Sequence, residues 1–554
     1  MQFFPYFRGF SELFWVRGRK GGTERELDTQ KRIVYDENVP CVKSGAKQPT
    51  EENEERKQNM WQGKKKVKGV EELRGSKDGT SVNKHILEIV LYAGCLPLKS
   101  VRLLQRYSPK VYSRAIHVLS ELEVLEGRKS RTSRLTVYGI QRFNENTIDY
   151  LEEMVDSSLI QLYGEKKISV WEQAKGKGGV AASRKRREIR SMRDADTVCI
   201  MDHIEAAYLP YEKPPFSYDL KVTKPTYYAK HELITKGYTK KNGCEEDTLH
   251  PIVVRGRESG LLYSPAAIYS VMNLAEWGME FSIDTAKFCA YIESNVRTAG
   301  NPKDALPVES VIIVKKEELA EQILFPKTET ERINADYLRY MAPVQYLLRS
   351  DLYEEQVYLQ LLEMMCNPKW KYQAMRAANK LIEGVCGYTI TDPATGEKKA
   401  VTKMEKNHAN SLIHCDGMTE YDYAYTEEEN GEITEKEIRM QEYYLVHTIP
   451  DLWKLKQFQA EAKMYGSQEN LSFVVFCYPF QRDYIDRMFS EEIVNPDGSK
   501  ETIKYATIVT VDFDLARKML CPEEKEYLVK RREREEVSKA RFEKKEALED
   551  EKSI

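Results

Sequence analysis

The sequence predicts a mixed α/β fold. Three observations carry this expectation. From about residue 211 onward, short apolar runs of strand length alternate with stretches of helical periodicity. Before them lies a compact pattern of helices closed by a hairpin. Both ends of the chain are charged and poor in apolar periodicity. At 554 residues the chain exceeds one hydrophobic core, and the usual domain size implies roughly three or four units. Hydrophobic residues make up 41%, enough for globular domains, while 31% charged residues require solvated stretches. The net charge of -3 means that any nucleic-acid surface has to be a local patch.

Several classes are excluded at this level. The ten cysteines form no CxxC pair, which argues against zinc ribbons, fingers and a disulfide framework. No apolar run approaches the roughly 20 residues that cross a bilayer. The aromatic start, MQFFPYFRGFSELFWVRGRK, lacks the order of a signal peptide. A soluble, cytoplasmic protein without membrane contact is expected.

Residues 1–80 read as a poorly ordered leader, in which an acidic block precedes a basic one. A module is expected at 81–146. SVNKHILEIVLYAG carries Ile86, Ile89, Val90 and Leu91 at buried-helix spacing and ends at Gly94. LKSVRLLQRY reads as a second short helix. Ser108 and Pro109 read as the N-cap and first turn of a third helix, KVYSRAIHVLSELEVLEG. Two extended pieces around a polar tip, RKSRTS and RLTVYGIQRF, complete the order of a winged helix.

The third helix has two faces. Val111, Ala115, Val118, Leu119 and Leu122 are expected inward, and Lys110, Ser113, Arg114 and His117 recur outward at i, i+3, i+4 and i+7. A helix in a major groove needs this division, with one stripe held in a core and one reaching base edges. Arg128, Lys129, Arg131 and Arg134 in the hairpin suit a wing lying on phosphate. Residues 81–150 hold 11 basic and 6 acidic residues, a local net of +5 in a chain that is acidic overall. Double-stranded DNA is therefore the expected partner.

Residues 147–210 read as a basic helical linker, with Arg184, Lys185, Arg186 and Arg187 as further phosphate contacts. The body follows as an α/β domain at 211–325, a helical segment at 326–390 and a second α/β domain at 391–516. Its strand–helix alternation is nuclease-like or Rossmann-like and implies a partly parallel sheet. Residues 517–554 read as a charged, solvated helical tail.

The stretch ILEIVLYAGCLPLKSVRLLQRYSPKVYSRAIHVLSELEVLEGRKSRTSRLTVYGIQRF resembles the replication-relaxation family of plasmid and integrative-element proteins, with LTVYG closing the wing. The resemblance continues through RKRREIRSMRDADTVCIMDHIEAAYLPYEKPPF and SFVVFCYPFQRDYIDRMF. It implies a bacterial mobile-element protein that assists replication or DNA relaxation during transfer, beside a separate relaxase or replication protein. It carries over no catalytic residues.

Catalytic signals are sparse. GKGG at Gly176–Gly179 lacks the Lys-Ser/Thr of a phosphate-binding loop. Hairpin, third strand, helix and strand between Leu261 and Val314 resemble a restriction-type nuclease core, in which an acid and a lysine two residues apart hold a metal. The expected third strand, GMEFS, offers Glu280 without that lysine, and Lys287 comes later on a helix. Asp512 and Asp514 end a strand and suit either magnesium or the capping of the next helix, with capping favoured. His408, His414, Cys415 and Asp416 fit no zinc template. No cofactor or metal is expected. The sequence thus predicts a non-catalytic DNA-binding accessory factor, with a metal-dependent nuclease and a transcriptional or copy-number repressor as alternatives.

Overall fold

The computed structural model describes residues 82–129, 136–140, 145–166, 181–236, 259–274, 283–299, 305–314, 317–332, 345–349, 357–385, 389–391, 398–400, 405–406, 413–429, 432–466, 470–494 and 499–520, with Ser169 and Gln468. The mixed α/β class is as expected. The 1–80 leader, the GMEFS stretch and the tail beyond residue 520 lie outside the described residues.

The chain enters through helix α1 (Val82–Ala93), which ends where Gly94 takes φ 82. Only glycine adopts that left-handed conformation without strain, so the stop is written in the sequence. The two-residue strand β1 (Leu96–Pro97) follows. Leu98–Leu103, at the start of the expected second short helix, is a 3-10 helix. Its short length, between Pro97 and the extended Leu104, is typical of 3-10 helices. Helix α2 (Pro109–Glu121) starts after extended Ser108, which makes no side-chain capping bond, and Pro109 takes the first turn. Strands β2 (Leu125–Lys129) and β3 (Thr136–Ile140) pair antiparallel, and β1 joins them in the order β1-β3-β2.

Next come α3 (Glu145–Met154) and α4 (Ser157–Lys166), both within the stretch expected to be helical. They break at Asp156, whose carboxylate accepts the Ser158 amide at 2.9 Å. Helix α5 (Ala181–His203) closes the stretch expected as a linker. Its residues from Ala195 to His203 are all buried, so it is a core element instead. The expectation rested on its charged start, whereas its second half packs against α1, the 3-10 helix and the body.

The body holds two five-stranded sheets. The first runs β4 (Thr226–Ala229), β5 (Gly260–Tyr263), β6 (Ile268–Leu274), β7 (Val308–Val314) and β8 (Gln345–Arg349), in that spatial order. The first three form an antiparallel meander, and β6, β7 and β8 are parallel. Helix α6 (Lys230–Lys236) follows β4. Helices α7 (Ile283–Ala299) and α8 (Glu317–Leu324) make the two parallel crossovers. Every residue of β5, β6 and β7 is buried, the pattern of a sheet covered on both faces. Ile268, Met272 and Leu274 share a core with Phe288 and Ile292 of α7, while Asn273 points to α5. Strand β8 lies in the region expected to be helical; pairing of Leu347 and Leu348 with Ile312 and Ile313 decides it. Helices α9 (Val357–Met365) and α10 (Trp370–Val385) complete this part.

The second sheet follows a small hairpin, β9 (Thr389–Thr391) and β10 (Lys398–Ala400). Its order is β11 (Glu405–Lys406), β12 (Gly417–Glu429), β13 (Glu432–Val446), β14 (Leu471–Cys477) and β17 (Thr507–Thr510). Helices α11 (Leu452–Tyr465) and α12 (Arg482–Met488) connect the parallel strands β13, β14 and β17. A separate hairpin, β15 (Ser490–Val494) and β16 (Lys500–Lys504), interrupts the last crossover, and α13 (Phe513–Leu520) ends the described chain. Ile312, Leu347, Tyr443, Phe458 and Val475 belong to one apolar cluster, so the three segments expected in the body share a core. Among the described residues no helix is long and apolar enough to cross a membrane.

Candidate nucleic-acid interface

Helix α2 divides as a groove-reading helix requires, with a shift of one position on its inner side. Tyr112, Ala115, Ile116 and Leu119 are buried at i, i+3, i+4 and i+7, together with Val118. Val111 and Leu122, expected inward, are only half-buried, because Tyr112 and Ile116 fill the core beneath α1. Lys110, Ser113, Arg114 and His117 are all exposed. His117 Nε2 lies 3.3 Å from Glu121 Oε1, an exposed pair of the kind that water screens readily.

The hairpin is more committed than its composition implies. Arg128 donates from Nε and Nη2 to the two oxygens of Glu126, at 2.6 Å each. A phosphate can use Arg128 only by displacing that fork. Lys129 is exposed beside it. Arg131 and Arg134 lie outside the described residues. Arg184, Lys185, Arg186 and Arg187 sit in the first two turns of α5, with side chains outside the described set. Further along the same basic run, Arg193 is buried beside Asp194 and cannot reach a phosphate.

Beneath α2 lies a buried polar layer that sequence reasoning missed. The Tyr112 hydroxyl is hydrogen-bonded to His85 Nδ1 at 2.9 Å, and His85 Nε2 to Asp202 Oδ1 at 2.8 Å. Tyr208 donates to the same carboxylate oxygen at 3.2 Å, and the Arg106 guanidinium reaches it at 3.0 Å. Burial alone raises the Asp202 carboxyl. The charge and hydrogen bond of His85, with the charge of Arg106, outweigh it and hold Asp202 below its ordinary range. Burial and the same carboxylate push Tyr112 well above the usual phenol range, so it remains protonated. A second link runs from Ser100, which donates to Asp196 Oδ1 at 2.6 Å, to Asn273 of β6, which donates to Asp196 Oδ2 at 2.9 Å. Cys95 and Val137 pack on Met192 and Ala195. The outward face of α2 is therefore backed by α1, α5 and the first sheet. The available signal was the presence of Asn83, His85 and Glu88 in a helix otherwise buried on every side.

The catalytic candidates do not converge. The third strand of the meander is β6, Ile268–Leu274, which carries neither an acid nor a lysine. Glu280 falls beyond it, outside the described residues, and Lys287 lies in α7 with its side chain outside that set. Asp512 accepts the Leu515 amide at 2.9 Å and so caps α13, the use favoured from the sequence. Asp514 pairs with Arg517 at 3.5 Å. His414 pairs with Glu461 and Asp416 with Lys454, so two of the three described side chains of the His/Cys/Asp group are already engaged, and His408 lies outside the described residues. Among the described residues no three His, Cys, Asp or Glu side chains are grouped to hold a metal ion.

Compared with protein-family models, with curated proteins and with solved structures, the chain matches none.

Proposed function

We propose that this chain is a duplex-DNA-binding accessory protein for replication, relaxation or conjugative transfer of a bacterial plasmid or integrative element, acting beside a separate relaxase or replication protein. One observation supports it most. Lys110, Ser113, Arg114 and His117 form an exposed stripe on a helix whose opposite side is buried against a winged-helix-like arrangement of helices and three short strands. Arg114 has the length and fork to meet a guanine edge, and Lys110 stands at the helix start where phosphate passes. Lys129 extends the positive surface onto the hairpin.

The test replaces Lys110 and Arg114 with Ala and measures affinity for duplex DNA across a salt series. Each lost phosphate contact lowers the slope of log K against log salt by about one, and a lost base contact costs about 1–3 kcal/mol. Unchanged affinity and slope would refute the reading.

A metal-dependent nuclease is the second reading. Its support is the first sheet, where an antiparallel meander is followed by a helix and a parallel strand, although the third strand of that meander is β6 and the GMEFS stretch expected in that place lies outside the described residues. Its weakness is β6, which lacks the acid and lysine that such chemistry needs. Supercoiled plasmid incubated with magnesium or manganese should stay intact; nicking that vanishes when Glu280 is replaced would favour the nuclease instead.

A further inference from the structure

A second exposed surface has the chemistry of a nucleic-acid platform and lies on α10, far along the chain from α2. One side of α10 is anchored by buried Trp370, Ala377, Ala378 and Ile382. The opposite side exposes Tyr372 at 58% and Met375 at 55%, the first ring and thioether a partner would meet. Lys369, Tyr372, Arg376 and Lys380 follow one another at spacings of three and four, so they form a single stripe about 16 Å long. The Arg376 guanidinium sits 5.8 Å from the centre of the Tyr372 ring. Lys371, on the flank, is held by the buried carboxylate of Glu309 and takes no part. Among the described side chains of α10 none is acidic; Glu383, in the last turn beyond Lys380, has its side chain outside the described set.

An aromatic ring and a thioether exposed to this extent, with cations before and after them, are poorly matched to a duplex. Paired bases offer only edges and phosphates, and the ring would gain nothing. A single strand offers an open π-face for the ring and phosphates for the flanking cations. We propose that α10 is a single-stranded nucleic-acid binding site, with Tyr372 stacking on a base and Lys369, Arg376 and Lys380 tracking the backbone. It is separate from the duplex face on α2 and does not depend on that face being correctly assigned.

The test uses the full chain and fluorescein-labelled dT20 and rU20, titrated by anisotropy at fixed salt; the tighter of the two identifies the sugar. On that strand, Tyr372→Ala is expected to weaken binding about tenfold. Tyr372→Phe should bind like the unaltered protein, since the ring is kept. Arg376→Ala should weaken binding and lower the salt slope by about one. Both positions are exposed, and each variant should melt as the unaltered chain does. A duplex 20-mer should bind all α10 variants equally, while Lys110→Ala with Arg114→Ala should lose duplex and keep the single strand. The proposal is overturned if neither strand binds, or if Tyr372→Ala binds as tightly as the unaltered protein, as it would were the stripe a protein-docking surface. It is overturned equally if Tyr372→Phe is as weak as Tyr372→Ala.

Discussion

Single residues set the pH response of this molecule. His447 follows β13 and is fully buried, with its Nε2 3.5 Å from the Tyr484 hydroxyl. Burial, helped by the nearby Lys454 ammonium, lowers its imidazole from 6.5 to about 3. The unfolded chain takes up this proton near 6.5, while the folded chain refuses it until far lower pH. The stability His447 contributes is thus complete above pH 6.5 and declines as pH falls, by up to about 1.4 kcal/mol per unit. His447→Gln should flatten the urea midpoint between pH 6.5 and pH 4.5; parallel curves for the two proteins would defeat this. Asp202 acts in the same direction at lower pH. Its carboxyl is depressed in the fold, so its share is present above the ordinary carboxylate range and lost as pH falls through the folded value.

At the scale of elements, helix ends divide into those a sequence reader can see and those it cannot. Gly94 ends α1 in the left-handed region, and its type announces the stop. Helices α2 and α5 end the same way on glutamates, Glu123 at φ 57 and Glu205 at φ 56. The closing bonds, Val124 amide to Leu119 carbonyl and Ala206 amide to Met201 carbonyl at 3.0 Å each, hold these residues in place. A side chain in that region costs roughly 1 kcal/mol that glycine avoids. Glu123→Gly and Glu205→Gly should therefore each raise stability by about 0.5–1 kcal/mol in denaturant unfolding; a loss in both would show that the two carboxylates contribute more than their backbone costs. Strand β8 is the opposite case. QYLLR has no strong strand signature, and only the edge offered by β7 makes it a strand.

Within the described residues the chain behaves as connected parts rather than beads on linkers. The N-terminal helices reach α5 through Tyr112–His85–Asp202 and through Ser100–Asp196, and α5 reaches the first sheet through Asn273. The two sheets of the body share one apolar cluster, and the Leu347 amide of β8 donates to the Pro450 carbonyl beyond β13 at 2.9 Å. Buried polar bonds of this kind are costly to break singly, since each leaves an unpaired group behind. The N-terminal unit and the body should accordingly unfold together, as one calorimetric transition. Two separated transitions, or early proteolytic release of residues 82–140 as a folded fragment, would contradict it.

Much of the architecture was legible because periodicity is local. The two-faced character of α2, the exposure of Lys110, Ser113, Arg114 and His117, the buried runs of β5, β6 and β7 and the capping by Asp512 follow from residues within a few positions of one another. What only the tertiary structure decided are meetings across long stretches of chain. His85 and Asp202 are 117 positions apart, and no local pattern marks either as the other's partner. The burial of α5, hidden behind a basic start, and the exposure of Tyr372 on α10 were decided the same way, by which faces the rest of the chain came to cover.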